Sequence, residues 1–221
     1  MHRFLVVGLG NFGSWAARTL LAQGQEVIAI EVNGDLADRH ASSATRVVVG
    51  DARERSLLEE IGADSVDAAI VSTGEDLAAS ILVTLALSDL GVSDIYVKVT
   101  SPEAARALEA LRVKETIFPE QEAAHNLAHR IVSRGVLKYV PLTRGYSIQE
   151  IAIPDAWLGK TLRELALPLK HSIQVVAIYD VLKGEMHVVP DPDDPLKDSD
   201  IAIVAGSDAT VARLLKERAR Y

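Results

Sequence analysis

Through the first half of the chain, short apolar runs alternate with stretches of helical periodicity. Runs at 4–7, 26–30, 46–49, 67–71, 94–99 and 115–118 have the length and β-branched content of buried strands. Between them, 14–22, 35–41, 56–61, 77–90 and 102–111 read as helices. Gly62 and Gly91 stop two of these, and Pro102 opens the last. Strands alternating with helices imply a parallel, doubly wound sheet. Strands this apolar suit a sheet covered on both faces. The expected fold class is therefore α/β, Rossmann-like.

At Pro119 the pattern changes. Residues 120–134 carry one long helical period, with Ala123, Ala124, Leu127, Ala128, Ile131 and Val132 as its apolar stripe and Gly135 at its end. The stripe is either core or a subunit contact. Short β-rich runs follow at 137–142, 147–153, 173–179, 186–189 and 201–204. Lys183-Gly184 reads as a hairpin turn, and helices are expected at 161–167 and 209–219. This gives a second, smaller α+β lobe. The expected division is 1–118, a crossover helix at 119–135, and 136–221. No internal repeat is visible.

The most informative stretch is Gly8-Leu9-Gly10-Asn11-Phe12-Gly13, between the first strand and first helix. In that position Gly8 permits a tight turn, Gly10 lets a pyrophosphate approach the backbone, and Gly13 lets helix pack on strand. The first N–H groups of the helix, with its dipole, favour phosphate. Glu31 ends the second strand near the spacing of about 20 residues expected for an acid that holds a ribose. Ligands of such sheets sit beyond the carboxyl ends of the strands. Polar residues gather there: Asp51 and Ala52 after the third strand, Thr73, Gly74 and Glu75 after the fourth, and Lys98 in the fifth. Asp51 is placed to meet an adenine edge, Thr73 and Gly74 a phosphate or ribose, and Lys98 phosphate charge. Singly, each is equally well ordinary loop polarity; together they favour a site.

Composition narrows the classes. A net charge of -8 argues against broad binding to nucleic acid. It leaves room for one nucleotide held by backbone amides. With no cysteine, disulfides, thiol catalysis and cysteine-ligated zinc are excluded. Met1-His2-Arg3 runs into the first strand without signal-peptide character, and no apolar run reaches membrane-spanning length, so the reading is cytoplasmic. His125 and His129 share a helix face but lack a His-Glu-x-x-His context, which favours a polar helix edge over a metal pair. The acids Asp191, Asp193, Asp194, Asp198 and Asp200 crowd one loop, where prolines favour a solvated turn over calcium. No Ser-His-Asp elbow and no Tyr-x-x-x-Lys pair appears.

Gly8 to Gly13, Glu31-Val32-Asn33, Gly50-Asp51-Ala52 and Phe118-Pro119-Glu120 resemble the regulator-of-potassium-conductance (RCK, or KTN) domain family. So do Tyr146-Ser147-Ile148-Gln149-Glu150 and the stretch 196–206 in the second lobe. The resemblance spans essentially the whole chain and matches the single-unit gating subunits of Ktr-type potassium transporters, whereas Trk-type subunits usually carry two units. It implies a non-catalytic, nucleotide-controlled ring, at least a dimer and by resemblance an octamer, beneath a separate membrane-embedded potassium transporter subunit. The ligand implied is ATP or ADP, alternatively NAD or NADH. Gly8, Gly10 and Gly13 would line the phosphates, with Asn11 and Phe12 in the same turn. Glu31 would hold the ribose, with Val32 and Asn33 beside it, and Asp51 and Ala52 would meet adenine. Glu120 matches a carboxylate that helps hold a cation, Mg²⁺ or Ca²⁺, at the γ-phosphate. Asn11 stands where Ktr-type members often have an arginine facing the phosphates. Pro168 stands where members that bind cyclic di-AMP have an arginine. The rival classes are a small NAD-dependent oxidoreductase and a redox-sensing repressor; the latter needs a DNA-binding module that does not precede the first strand.

Overall fold

The structure is a computed structural model and describes residues 1–132 and 135–216. The chain divides into two compact units between Gln121 and Glu122.

The first unit is built on a six-stranded parallel sheet. Its strands are β1 (Arg3–Val7), β2 (Glu26–Glu31), β3 (Arg46–Val49), β4 (Ala68–Val71), β5 (Ile95–Lys98) and β6 (Glu115–Ile117), in the order β3-β2-β1-β4-β5-β6. The helices are α1 (Asn11–Ala22), α2 (Gly34–Arg39), α3 (Arg55–Glu60), α4 (Leu77–Asp89) and α5 (Pro102–Glu109). The side-chain alternation of the strands splits the core into two layers. Leu5, Val7, Ile28 and Ile30 pack with Leu58 of α3, Val83 and Leu87 of α4, and Leu108 of α5. Val6, Val27 and Ala29 face the other way, against Leu9 and Ala17 of the glycine turn and α1. Helix α4 is apolar all round: Val83 and Leu87 are buried, yet Leu82 and Leu85 on its other side are exposed.

The order of the strands reverses between β1 and β4, and the glycine turn sits at that point. Gly8 takes φ +89, and a Cβ there would lie 2.2 Å from the Ser72 carbonyl oxygen at the end of β4. A Cβ on Gly13 would lie 1.9 Å from the carbonyl oxygen of Gly8. These two glycines let α1, β1 and β4 close on one another. Gly10 differs: its φ is -62, and nothing lies within 4 Å of where its Cβ would be.

Helix α6 (Pro119–Val132) runs from the first unit into the second. It is described to Val132; residues 133 and 134, which close the expected crossover helix, lie outside the described residues. None of its residues is buried, and Leu127, Ile131 and Val132 are exposed.

The second unit carries a five-stranded antiparallel sheet of order β10-β9-β11-β8-β7. Its strands are β7 (Val136–Thr143), β8 (Tyr146–Ala152), β9 (Gln174–Asp180), β10 (Glu185–His187) and β11 (Asp200–Ser207). Gly184, at φ +70, turns the β9–β10 hairpin. At the opposite edge, β7 contains Pro141 and shifts register twice against β8. The helix expected at 161–167 is two short pieces, α7 (Leu162–Leu165) and α8 (Leu167–His171), because Ala166 between them is left-handed at φ 46. Helix α9 (Asp208–Lys216) is pinned at its start: Asp208 accepts hydrogen bonds from Ser147 Oγ at 2.6 Å and Tyr139 Oη at 3.1 Å. The rest of the helix expected to 219 lies outside the described residues.

Gly13→Ala should destabilise the chain by about 3 kcal/mol, because the new methyl meets backbone that cannot yield. Gly10→Ala should cost about 1 kcal/mol or less. Urea denaturation of the two variants checks the contrast, and equal losses would show that Gly13 is not a packing glycine.

Candidate nucleotide-binding site

A cavity of about 330 Å³ opens at the carboxyl rim of the first sheet, within the range that holds small ligands. It lies where β1 and β4 diverge, the place at which such sheets take nucleotides. Gly8 and Gly10 line it from the turn after β1, Glu31 and Val32 from the end of β2, Asp51 and Ala52 from beyond β3, and Thr73 and Gly74 from beyond β4.

Helix α1 begins against this cavity. Its N-cap is Gly10, which offers no side-chain cap, and its first turn holds no acid. The leading N–H groups of a helix have no partner within it, so this end is suited to an anion. Asn11, Phe12 and Gly13 form that first turn without lining the cavity.

Glu31 is only 7% exposed. Its Oε2 accepts the Leu9 N–H at 2.7 Å and its Oε1 accepts the Asn33 N–H at 3.0 Å. The carboxylate thus ties the glycine turn to the end of β2. A carboxylate has about four acceptor positions, so capacity remains for further donors. Asn33 does not line the cavity; it caps α2, accepting the Leu36 N–H at 3.0 Å.

Asp51 is already engaged. Arg53 Nη2 reaches its Oδ2 at 2.6 Å and the Arg53 N–H its Oδ1 at 2.9 Å. These bonds, the guanidinium's first, hold the Asp51 carboxyl below its ordinary range. Arg53 and Asp76 line the cavity without having been singled out in the sequence. The arginine was findable as a cation two residues beyond Asp51. Asp76 was findable as the helix cap before Leu77; it accepts the Ala79 N–H at 2.9 Å. Thr73 Oγ1 lies 2.6 Å from Ser80 Oγ, which fixes the loop after β4. Glu75 stands outside the lining.

Lys98 and Glu120 are brought together away from the cavity wall. Lys98 Nζ lies 2.7 Å from Glu120 Oε1, with Lys98 14% exposed and Glu120 69%. The bond from Lys98, then one from the Glu120 N–H, lowers the Glu120 pKa. In the second unit His129 stacks on Tyr139, with centroids 4.2 Å apart. Asp193 of the acidic loop pairs with Arg163 at 2.6 Å. Among the described residues no group of three or more His, Asp or Glu side chains is placed to hold a metal. No helix among them is long and apolar enough to cross a membrane.

A parallel sheet with an uncapped helix start and a buried acid at its switch point defines a Rossmann-like domain of the nucleotide-binding type, here followed by a β-rich lobe. The chain belongs to the TrkA-N and TrkA-C domain family: residues 4–119 match the TrkA-N domain and residues 148–218 the TrkA-C domain. It is 36% identical over 214 residues to the Ktr system potassium uptake protein C of Bacillus subtilis (strain 168), covering 96% of each chain. It is 30% identical to the Ktr system potassium uptake protein A of Vibrio alginolyticus, covering 97% of this chain and 96% of that one. The crystal structure of the GsuK RCK domain has the same fold, with a TM-score of 0.65 and 16% identity over 97% of this chain; the match spans 47% of the GsuK chain.

The Lys98–Glu120 pair sets a pH dependence. Because folding lowers the Glu120 pKa, its contribution is complete above the ordinary carboxylate range and is lost as pH falls through the lowered value. Wild type should exceed Glu120→Gln in stability by about 1 kcal/mol or less at neutral pH, given the exposed carboxylate. The difference should vanish in acid. Urea denaturation at neutral and acid pH measures it, and a pH-independent difference would refute the assignment.

Proposed function

We propose that this chain is the cytoplasmic nucleotide-binding gating subunit of a Ktr- or Trk-type potassium uptake system, acting on a separate membrane-embedded transporter subunit. Family membership supplies the physiological context. The single observation that carries the ligand is Gly10, whose missing side chain leaves open space at an uncapped helix start above a cavity walled by Glu31. The ligand is an adenine nucleotide: ATP or ADP, alternatively NAD or NADH.

In this reading the α1 N-terminus takes the phosphates, and Glu31 takes the ribose hydroxyls with its remaining acceptor positions. The backbone at Ala52 faces the base, while Arg53 supplies positive charge at the mouth. Glu120 is one exposed carboxylate at the end of the first unit. That fits the way Mg²⁺ is usually held, by one or two carboxylates with substrate phosphates and waters. Bound in this way, a divalent cation would offset the repulsion between Glu120 and a γ-phosphate.

The exposed apolar residues of α4 and α6 support self-association as a dimer or larger closed ring. Nucleotide then regulates uptake by binding one arrangement of the ring more tightly than another; without that difference no signal passes. Hydride transfer is not part of this proposal, and no observation favours it.

The test is calorimetry of the purified chain with ATP, ADP, NAD and NADH. At least one should bind, and Gly10→Val should weaken it about tenfold or more by overfilling the approach while unfolding at nearly the wild-type urea midpoint. A Gly10→Val variant with unchanged affinity would remove the site assignment. NADP should bind about tenfold or more weakly than NAD, because its 2′-phosphate meets the Glu31 carboxylate; equal affinities would count against the ribose role.

A further inference from the structure

The second unit buries two carboxylates opposite each other. Asp180 ends β9 and Asp200 begins β11, and their Cα atoms are direct cross-strand partners. Asp180 is 4% exposed and Asp200 5%. Like charges directly opposite in an antiparallel pair repel, and burial raises the cost of leaving them uncompensated.

The compensation within the chain is partial. Asp180 Oδ1 accepts the Leu182 and Lys183 N–H groups at 3.1 and 3.2 Å, and its Oδ2 lies 3.2 Å from Lys197 Nζ. Asp200 Oδ2 accepts the Lys197 N–H at 2.9 Å. Among the described residues, no donor reaches Asp200 Oδ1, which is itself buried. The Lys197 ammonium therefore bonds only one of the two buried acids. Its side chain is 54% exposed, so it can swing into solvent.

Both acids line a cavity of about 440 Å³, whose lining also includes Asp191, Asp194, His187 and the two lysines Lys183 and Lys197. The sequence pointed to the loop acids as a crowded turn; the register of β9 and β11 supplies instead a buried pair with an orphaned oxygen. A hard cation prefers oxygen ligands, and Mg²⁺ commonly uses one or two carboxylates and keeps several waters. Two carboxylates at a roomy cavity suit that chemistry, whereas a softer metal needs nitrogen or sulfur ligands.

We propose that Asp180 and Asp200 form a binding site for a hard divalent cation, Mg²⁺ or Ca²⁺, and that Lys197 is a tethered counter-ion which the metal displaces. The site is independent of nucleotide and lies in a different unit from Glu120.

The experiment uses the full chain without nucleotide. MgCl₂ or CaCl₂ is titrated at constant ionic strength while the thermal midpoint is followed, with KCl as the reference salt. The wild-type midpoint should rise saturably with Mg²⁺ or Ca²⁺ and not with KCl, and the two arms identify the preferred ion. Lys197→Met removes the competing ammonium and should tighten the apparent Kd about threefold, the scale of a half-exposed ion pair. Asp200→Asn should weaken it at least as much as loss of a residue that supports a metal ligand, about tenfold. Should Asp200→Asn fail to fold, Lys197→Met still decides, since its prediction has the opposite sign. Unchanged or weaker binding in Lys197→Met, the same titration in a folded Asp200→Asn, or a KCl response equal to that of MgCl₂ would overturn the proposal.

Discussion

The contact between Gly13 and the carbonyl of Gly8 is the constraint on which the first unit depends. It allows α1 to start within one turn of β1, and it can form only if residue 13 carries no Cβ; a Cβ on residue 8 would instead strike the Ser72 carbonyl. The glycine turn then lies against Ser72, so the ends of β1 and β4 close below the cavity. Glu31 completes the arrangement from β2 through the Leu9 N–H. Chain packing and ligand geometry are thus one problem: the groups that set the cavity floor are those that hold three strand ends together.

Within that frame the three glycines of one motif divide their work. Gly8 and Gly13 serve close packing, and Gly10 alone serves an open approach. Glu31 secures the glycine turn, and in the proposed reading the same carboxylate also accepts a ribose hydroxyl. A ligand competing for its lone pairs acts on the turn and on β2 at once, a physical route by which occupancy of the cavity reaches the sheet.

The parallel sheet was legible because each of its strands is a short apolar run bounded by Gly, Pro or polar residues, and the rim followed from where those runs end. What stayed hidden depends on contacts between distant residues. Nothing local announces that Lys98 pairs with Glu120, because that needs the folded ends of strands, whereas the bond from Arg53 to Asp51 spans only two residues and was within reach of the sequence. Asn33 was read as a neighbour of ribose; its side chain caps α2 by accepting the Leu36 N–H, an ordinary local interaction that the reading did not include. The break between α7 and α8 falls on Ala166, a residue with no turn signature, so a continuous helix was the natural expectation. Asp180 and Asp200 meet only through the β9–β11 register, which hydrophobic alternation does not specify.

The edges of the second sheet carry a separate consequence. One edge strand, β10, is only three residues long, and the other, β7, holds Pro141, which has no N–H, and shifts register twice. Neither offers a long regular ladder for an incoming strand. Copies of this lobe are therefore poor templates for fibre-like growth through main-chain pairing, and their association falls to side-chain surfaces, whose fit can limit an assembly to a finite number of copies.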